Sequence, residues 1–236
     1  MNTKIISIFS ENPNCDTTVS YEKYNELIQD VAILMLTSLT EMPEIETNKH
    51  ISKTQHYIKL LAEQVQNKPH FSNISTTSPE LLFKSAPLHD IGKAGIPTYI
   101  LNKRTPLTSS EAEIMKTHTI LGCIAIENAQ KQLNLSFPFL ELAKEMALWH
   151  HERWDGRGYP HGLSELEIPD SARLMAVVDT YDALTTTQRH QGVMTHLQAL
   201  NEIKKGSGSH FDPIAVEALL AVEQKFNKIA LQNTVI

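Results

Sequence analysis

Apolar residues along much of this chain recur every three to four positions, which is the spacing of one face of an α-helix. One such stripe runs from Tyr24 to Met35, and a second runs from Ile51 to Val65. Only residues 1–9 alternate weakly with the two-residue period of a strand. The pattern therefore predicts an all-α protein.

Capping residues set the bounds of the predicted helices. Ser78 followed by Pro79 is typical of a helix N-terminus, and Gly92 is a candidate for the end of the helix that this pair opens. Thr108 and Glu111 have the spacing of a capping box, which starts the helix that carries a candidate ligand at position 118. The predicted helices span about 20–40, 46–66, 79–91, 108–118, 138–151, 170–184, 195–205 and 213–231.

This order of helices predicts one helical domain over residues 46–236, preceded by a short N-terminal extension, residues 1–45, with one helix. The apolar stripe of that extension has two readings. It would allow two copies of the chain to form a homodimer, or it would pack into the core of its own domain. The residues leave both readings open.

Composition and charge narrow the class of protein. Of the 236 residues, 41% are hydrophobic and 20% are charged, as in folded globular proteins. The formal net charge of −6 provides no global basic field, so we expect no binding to DNA. The apolar run Val31–Leu36 is far shorter than a membrane span of about 18 residues. Two cysteines without a paired motif fit a cytoplasmic protein.

Histidine is unusually frequent, with eleven histidines against nine glycines, and this excess suggests a metal site. The adjacent pairs His89–Asp90 and His150–His151 are the most informative. Neighbours on a helix point about 100° apart, so such a pair converges on one centre only at a helix end or between two metal ions. Imidazole and carboxylate ligands together suit iron, manganese, zinc or nickel. Asp90 is the candidate bridging carboxylate.

Two motifs, HDIGK at 89–93 and HHERWDGRGYP at 150–160, resemble those of the HD-GYP family of HD-domain phosphohydrolases. The resemblance extends from about Glu46 to Phe211 and implies an HD-domain helical bundle. It implies a centre of two metal ions, or of three where Glu46 adds a carboxylate. The ligands that it implies are His50, His89, Asp90, His118, His150, His151 and Asp179.

The resemblance also implies an activity and a substrate class. Members of the family hydrolyse cyclic dinucleotides, chiefly cyclic di-GMP, to pGpG and often on to GMP. A water activated by divalent ions would attack the phosphate, and Asp90 would be the carboxylate that bridges two of these ions. Iron and manganese are the first candidates for the metal, and zinc and nickel are the alternatives. Lys93 matches a lysine of the family that contacts a substrate phosphate.

Other residues near the two motifs have a functional and a structural reading. Arg153, Arg157 and Tyr159 lie in the glycine-rich loop and would contact substrate or a protein partner, or else only shape and pack the loop. Asp182 follows Asp179 by three residues, and would either orient a metal ligand or face solvent.

The chain departs from the family pattern after its DALT segment. Members active on cyclic di-GMP carry an arginine and a lysine there, but this chain has Gln188 and Gln191, with Arg189 as a candidate replacement contact. Losing two hydrogen bonds to charged groups weakens binding by roughly 10²- to 10⁴-fold. A cyclic di-GMP phosphodiesterase is therefore the first hypothesis. A low-turnover effector or protein-interaction module, and a hydrolase of another cyclic nucleotide such as cyclic GMP-AMP, are the alternatives.

Overall fold

The computed structural model describes residues 47–133, 137–186 and 193–231, so the predicted helix over 20–40 and the weak strand signal lie outside the described residues. Within those ranges, β structure is limited to two isolated bridges, and the all-α prediction is confirmed. The helices are α1 (Thr47–Val65), α2 (Ser72–Ser75), α3 (Pro79–Ser85), α4 (Thr98–Leu101), α5 (Ser109–Lys116), α6 (His118–Leu133), α7 (Pro138–Trp149), α8 (Asp170–Thr185), α9 (His196–Lys205), α10 (Pro213–Ala221) and α11 (Glu223–Leu231).

Side-chain caps hold several helix starts where the sequence predicts them. Ser78 accepts a hydrogen bond from the backbone N–H of Glu80 at the start of α3, at 3.3 Å. Thr108 and Glu111 make both bonds of a capping box at α5, and Asp212 caps α10. Such caps each contribute about 1 kcal/mol, because they satisfy N–H groups that a helix start leaves without a partner.

The predicted helix over 79–91 is wrong in its second half. Helix α3 ends at Ser85, and a 3₁₀ turn follows that contains Pro87, which has no N–H to donate to a helical ladder. Gly92 therefore does not end this helix. It lies inside a second 3₁₀ turn, Ile91–Gly95, that packs against α6.

Two other predicted helices are interrupted. The helix that begins after Thr108 ends at Lys116, and α6 begins at His118. The C-terminal helix divides at Val222 into α10 and α11. The first break places a candidate ligand, His118, at a helix start.

The main core forms where α1 packs against α3, α8, α10 and α11. Three buried aromatic rings lie in it: Tyr57 stacks on Phe226 with ring centroids 4.4 Å apart, and Tyr181 meets both edge-on. Such pairs contribute about 0.5–1.5 kcal/mol beyond their buried area. They fix α1 and α8, the helices that carry His50 and Asp179.

A smaller core joins α7 to its neighbours, and its members are Leu88, Ile126, Phe139, Ala143 and Ala147. It holds the end of α7 close to the segment that follows α3 and to helix α6. In the part of the chain that the structure describes, no helix has the length and apolar character needed to cross a bilayer.

A buried arginine anchors the first half of α8. Arg173 donates hydrogen bonds to the carboxylates of Asp170 and Asp212, and to the backbone carbonyls of His70 and Ile168. A guanidinium group suits this role because its donors form a rigid planar fork. Removing one partner of a buried ion pair costs about 3–5 kcal/mol, so this network fixes where α8 begins.

Candidate metal centre

Two groups of candidate ligands meet where α1, α6 and α7 approach the segment after α3. Within each group, one donor atom from every residue lies within 4.8 Å of the others. All six residues were predicted as ligands from the sequence. The first group is His50, His89 and Asp90, and the second group is His118, His150 and His151.

Asp90 lies between the two groups. Its Oδ2 atom is 3.2 Å from His89 Nε2, whereas its Oδ1 atom is 3.3 Å from His118 Nε2 and 3.8 Å from His150 Nε2. One oxygen therefore faces each group, as a carboxylate that bridges two cations would require. Asp179 adds a second carboxylate to the first group, with Oδ1 3.8 Å from His89 Nε2.

Adjacent ligands can converge here because each pair lies at a helix end. His89 is the residue after the 3₁₀ turn Ala86–Leu88, and Asp90 departs from helical geometry with φ −104° and ψ 9°. His150 is the C-cap of α7, so His151 lies beyond the helix. Neither pair is held to the helical spacing of about 100° per residue.

A glycine lets Asp90 approach His118. A Cβ atom on Gly92 would lie 1.9 Å from the backbone oxygen of His118 and 2.5 Å from the backbone nitrogen of Gly122. Any larger residue must therefore push the 3₁₀ turn away from α6, and separate Asp90 from His118. The sequence contains this glycine in its HDIGK motif, but only the packing reveals its role.

Hydrogen bonds at Nδ1 leave the other ring nitrogen available in three histidines. The Nδ1 atoms of His89, His118 and His150 lie 2.8, 2.7 and 2.7 Å from backbone carbonyl oxygens about one turn earlier. A carbonyl only accepts, so Nδ1 carries a proton in each ring, and Nε2 is the atom that bears the lone pair whenever the ring is neutral. All three Nε2 atoms and Asp90 Oδ1 are buried without a hydrogen-bond partner among the described residues. These unsatisfied donor atoms fit a divalent transition metal.

The pKa values of the centre follow its buried charges. Burial alone would lower the pKa of His89, but the carboxylates of Asp90 and Asp179 raise it to about 10. Burial, followed by repulsion from the neighbouring ring, lowers the pKa of His150 well below its usual value, and burial lowers that of His151 to about 4. A proton on His89 thus neutralises carboxylate charge as a cation would, while the second group stays neutral, the form that binds metals.

Asp182 is a supporting residue that the sequence left undecided. Its carboxylate is 1% exposed, and its Oδ2 atom lies 2.6 Å from His50 Nδ1. The solvent-facing reading is wrong, because the main core covers this side of α8.

The loop after His151 covers one side of the centre. The Tyr159 ring stacks on His151, with centroids 4.8 Å apart and an interplanar angle of 26°, and Lys116 Nζ lies 5.5 Å from the Tyr159 centroid. Glu152, which the sequence analysis missed, is buried and accepts hydrogen bonds from two backbone N–H groups near the loop end, at 2.7 and 3.1 Å. The one feature of the sequence that could have indicated Glu152 is its position next to two histidines.

The residues predicted to contact the substrate differ in their partners and in their exposure to solvent. Lys93 Nζ lies 2.5 Å from Asp90 Oδ2, with 36% of its side chain exposed. The Arg153 guanidinium makes two hydrogen bonds to Asp155, and Arg157 is exposed. Four predicted site residues lie outside the described residues, namely Glu46, Gln188, Arg189 and Gln191.

Comparison with known proteins identifies the family. A family model described as "HD domain" matches residues 40–214. The chain belongs to the HD-domain family. The expected HD-GYP type is confirmed by relatives named cyclic di-GMP phosphodiesterases.

Three relatives show the range of names within this HD-domain family. A cyclic di-GMP phosphodiesterase of Vibrio cholerae is 46% identical over 220 residues, covering 93% of this chain and 44% of the relative. A cyclic di-GMP phosphodiesterase of Thermotoga maritima is 37% identical over 209 residues, covering 89% and 53%. A 3′3′-cGAMP-specific phosphodiesterase 2 of Vibrio cholerae is 33% identical over 185 residues, covering 78% and 33%. The chain thus spans between a third and about half of the length of these relatives.

Proposed function

We propose that this HD domain is a metal-dependent phosphodiesterase that hydrolyses a cyclic dinucleotide, with cyclic di-GMP as the first candidate substrate. The observation that carries the proposal is the position of the Asp90 carboxylate, with one oxygen toward each of two histidine-containing groups. Relatives that bear the name cyclic di-GMP phosphodiesterase supply the substrate class.

Each group would hold one divalent ion, iron or manganese first and zinc or nickel as alternatives. The first would be bound by His50, His89, Asp90 and Asp179, and the second by Asp90, His118, His150 and His151. Bound ions would lower the pKa of a water and offset negative charge on the phosphate. A third ion would need Glu46, which lies outside the described residues.

The protein's own residues would position the substrate. Lys93 places an ammonium group beside the bridging carboxylate, where it would contact a phosphate oxygen by a charge-assisted hydrogen bond. The Tyr159 ring would form one wall beside His151. Hydrolysis would form one bond from a water oxygen to phosphorus, break one P–O ester bond, and protonate the leaving oxygen, to yield linear pGpG.

Two alternatives have specific support. The similarity to a 3′3′-cGAMP-specific phosphodiesterase favours cyclic GMP-AMP as another substrate. Gln188 and Gln191 favour a low-turnover effector that binds the nucleotide with fewer cationic contacts. A protein partner at the loop 150–160, a homodimer and a cytoplasmic location remain predictions from the sequence.

The experiment is a substrate panel on protein of known metal content. Iron-loaded and manganese-loaded protein are incubated with cyclic di-GMP, cyclic GMP-AMP and pGpG, and the products are separated by chromatography. We expect cyclic di-GMP to yield pGpG, and Asp90→Asn to lower kcat by about 1000-fold, because a bridging ligand supports several kcal/mol of charge stabilisation. Glu202→Gln, an exposed acid on α9, is the control and keeps full activity.

Each outcome separates the hypotheses. Preferential cleavage of cyclic GMP-AMP would replace the substrate but keep the reaction. Tight binding without turnover in either metal form would favour the effector. Full activity in Asp90→Asn would overturn the bridged metal centre.

A further inference from the structure

His50 is held differently from three other histidines of the centre. His89, His118 and His150 each bond through Nδ1 to a backbone carbonyl, whereas His50 Nδ1 lies 2.6 Å from the carboxylate of Asp182. This carboxylate is 1% exposed and belongs to α8, one turn after Asp179. Among these four histidines, His50 therefore differs in having a carboxylate rather than a backbone carbonyl at Nδ1.

The pairing determines which nitrogen of His50 faces the centre. With the carboxylate as the acceptor of this hydrogen bond, a proton of His50 lies on Nδ1, and Nε2 is the nitrogen that can bear the lone pair. Carboxylate-backed imidazoles are more basic and better oriented ligands than imidazoles without such support. The second oxygen of this carboxylate, Oδ1, is buried without a hydrogen-bond partner among the described residues. Within that part of the chain, the Asp182 side chain therefore bonds to His50.

We propose that Asp182 is a positioning residue, which fixes the tautomer and orientation of His50 and thereby sets the metal affinity of the first group. Helix α8 then serves the centre twice, through Asp179 as a direct ligand and through Asp182 behind His50. The inference rests on the metal centre of the proposed function but does not depend on the identity of the substrate. The competing explanation is an ion pair that only joins α1 to α8.

The test measures metal binding rather than activity. The full chain is titrated with Mn²⁺ alone, unbound Mn²⁺ is followed by electron paramagnetic resonance, and the isotherm is fitted with two classes of site. Asp182→Asn keeps the size of the side chain and one accepting oxygen but removes its charge. We expect it to weaken one class by about 10- to 100-fold and to leave the other unchanged.

A matched control removes a buried carboxylate from the same helix. Asp170→Asn breaks an ion pair about 18 Å along α8 from Asp182, given the helical rise per residue. We expect it to lower the thermal midpoint while both Mn²⁺ affinities stay within twofold of the parent. If both variants weaken binding equally, Asp182 acts through stability alone and the proposal is wrong.

A double-mutant cycle tests whether Asp182 acts through His50. In a His50→Ala background, Asp182→Asn should change neither Mn²⁺ affinity by more than twofold. A further loss as large as in the parent background would overturn the proposal. A parent chain that binds no Mn²⁺ would overturn both the metal centre and this inference, whereas metal binding without cleavage of any cyclic dinucleotide would overturn only the proposed function.

Discussion

At the scale of single residues, surroundings decide whether a histidine can serve as a metal ligand. His56 on α1 bonds through Nδ1 to a backbone carbonyl four residues earlier, at 2.6 Å, much as His89 does three residues back. His56 is exposed, so water can satisfy its other nitrogen, whereas Nε2 of His89 is buried beside Asp90. The same hydrogen bond from Nδ1 to a backbone carbonyl therefore leaves His89 with a buried nitrogen suited to a metal ion, but gives the exposed His56 no such role.

Replacing Tyr159 separates the effect of its ring from that of its hydroxyl. Tyr159→Phe keeps the stack on His151, so metal content should not change. If the Tyr159 hydroxyl donates a hydrogen bond to bound cyclic di-GMP, the KM should rise about fivefold, and an unchanged KM would show that only the ring contributes. Tyr159→Ala loses the stack, worth about 0.5–1.5 kcal/mol, and should weaken metal binding by up to about tenfold. Metal titration and steady-state kinetics measure the two effects.

The control for these variants is Tyr99→Phe on α4, where the tyrosine is 64% exposed. It should alter neither metal affinity nor KM. Equal metal affinities for the phenylalanine and alanine variants at position 159 would show that the stack does not support His151.

At the scale of elements, short turns and helix ends determine the centre more than the long helices do. The 3₁₀ turn Ile91–Gly95 brings the segment after α3 against α6, and the break at Thr117 places His118 at a helix start. Turns allow this because their backbones lack the fixed spacing of a helix, so consecutive side chains can face one centre.

Gly92→Ala should disrupt this junction. Its new Cβ atom would meet backbone atoms of α6, which cannot rotate away as a side chain can. Overpacking of this kind costs about 1–3 kcal/mol, so we expect the thermal midpoint to fall by about 2 to 12 °C. Bound metal should also fall below two ions per chain, as measured by atomic emission, because Asp90 and His118 move apart.

Gly95→Ala provides a matched comparison in the same 3₁₀ turn. The three atoms nearest to its Cβ atom would all belong to the side chain of Leu121, the closest at 2.8 Å, and that side chain can adjust its rotamer. This variant should keep two ions per chain. If both variants lose metal to the same extent, the junction at Gly92 has no special role.

At the scale of the whole molecule, the fold buries a polar centre in which the second group of histidines is uncharged. The main core and the Arg173 network fix α1 and α8, while the smaller core holds the end of α7. The candidate ligands therefore meet although they span residues 50–179. Burial lowers the pKa of several histidines, and this links the stability of the fold to pH.

The metal-free protein should lose stability as the pH falls below 6.5. Burial lowers the pKa of His118 and His150, and that of His151 to about 4, against a usual value of 6.5. Between pH 6.5 and about 4 the unfolded chain binds protons that the folded chain does not, so the free energy of unfolding falls with pH. His89, with its pKa raised to about 10, is protonated in both states there and adds a constant term.

Thermal melts of chelator-treated protein between pH 8 and 5 measure this effect. A fully buried neutral histidine such as His150 lowers the free energy of unfolding by up to about 1.4 kcal/mol per pH unit below 6.5. His151→Gln should reduce the slope, whereas His56→Gln, at an exposed position, should not. A midpoint at pH 5 equal to or above that at pH 7 would contradict the assignment of neutral histidines.

The sequence by itself determined the helical class, most helix starts and the candidate ligands of the proposed metal centre. Periodicity and caps act over a few residues, so they can be read without knowing the fold. The two adjacent pairs of candidate ligands were visible for the same reason, and the family resemblance added His50, His118 and Asp179.

Only the tertiary structure decided how those residues work together. Gly92 approaches the backbone of His118, and the carboxylate of Asp182 bonds to His50, although each pair is far apart in the sequence. Glu152 bonds to the backbone at the other end of its own loop. Such relationships depend on distances between packed elements, which no local pattern encodes. The sequence therefore names the candidate ligands, while packing gives each one its orientation, its protonation state and its neighbours.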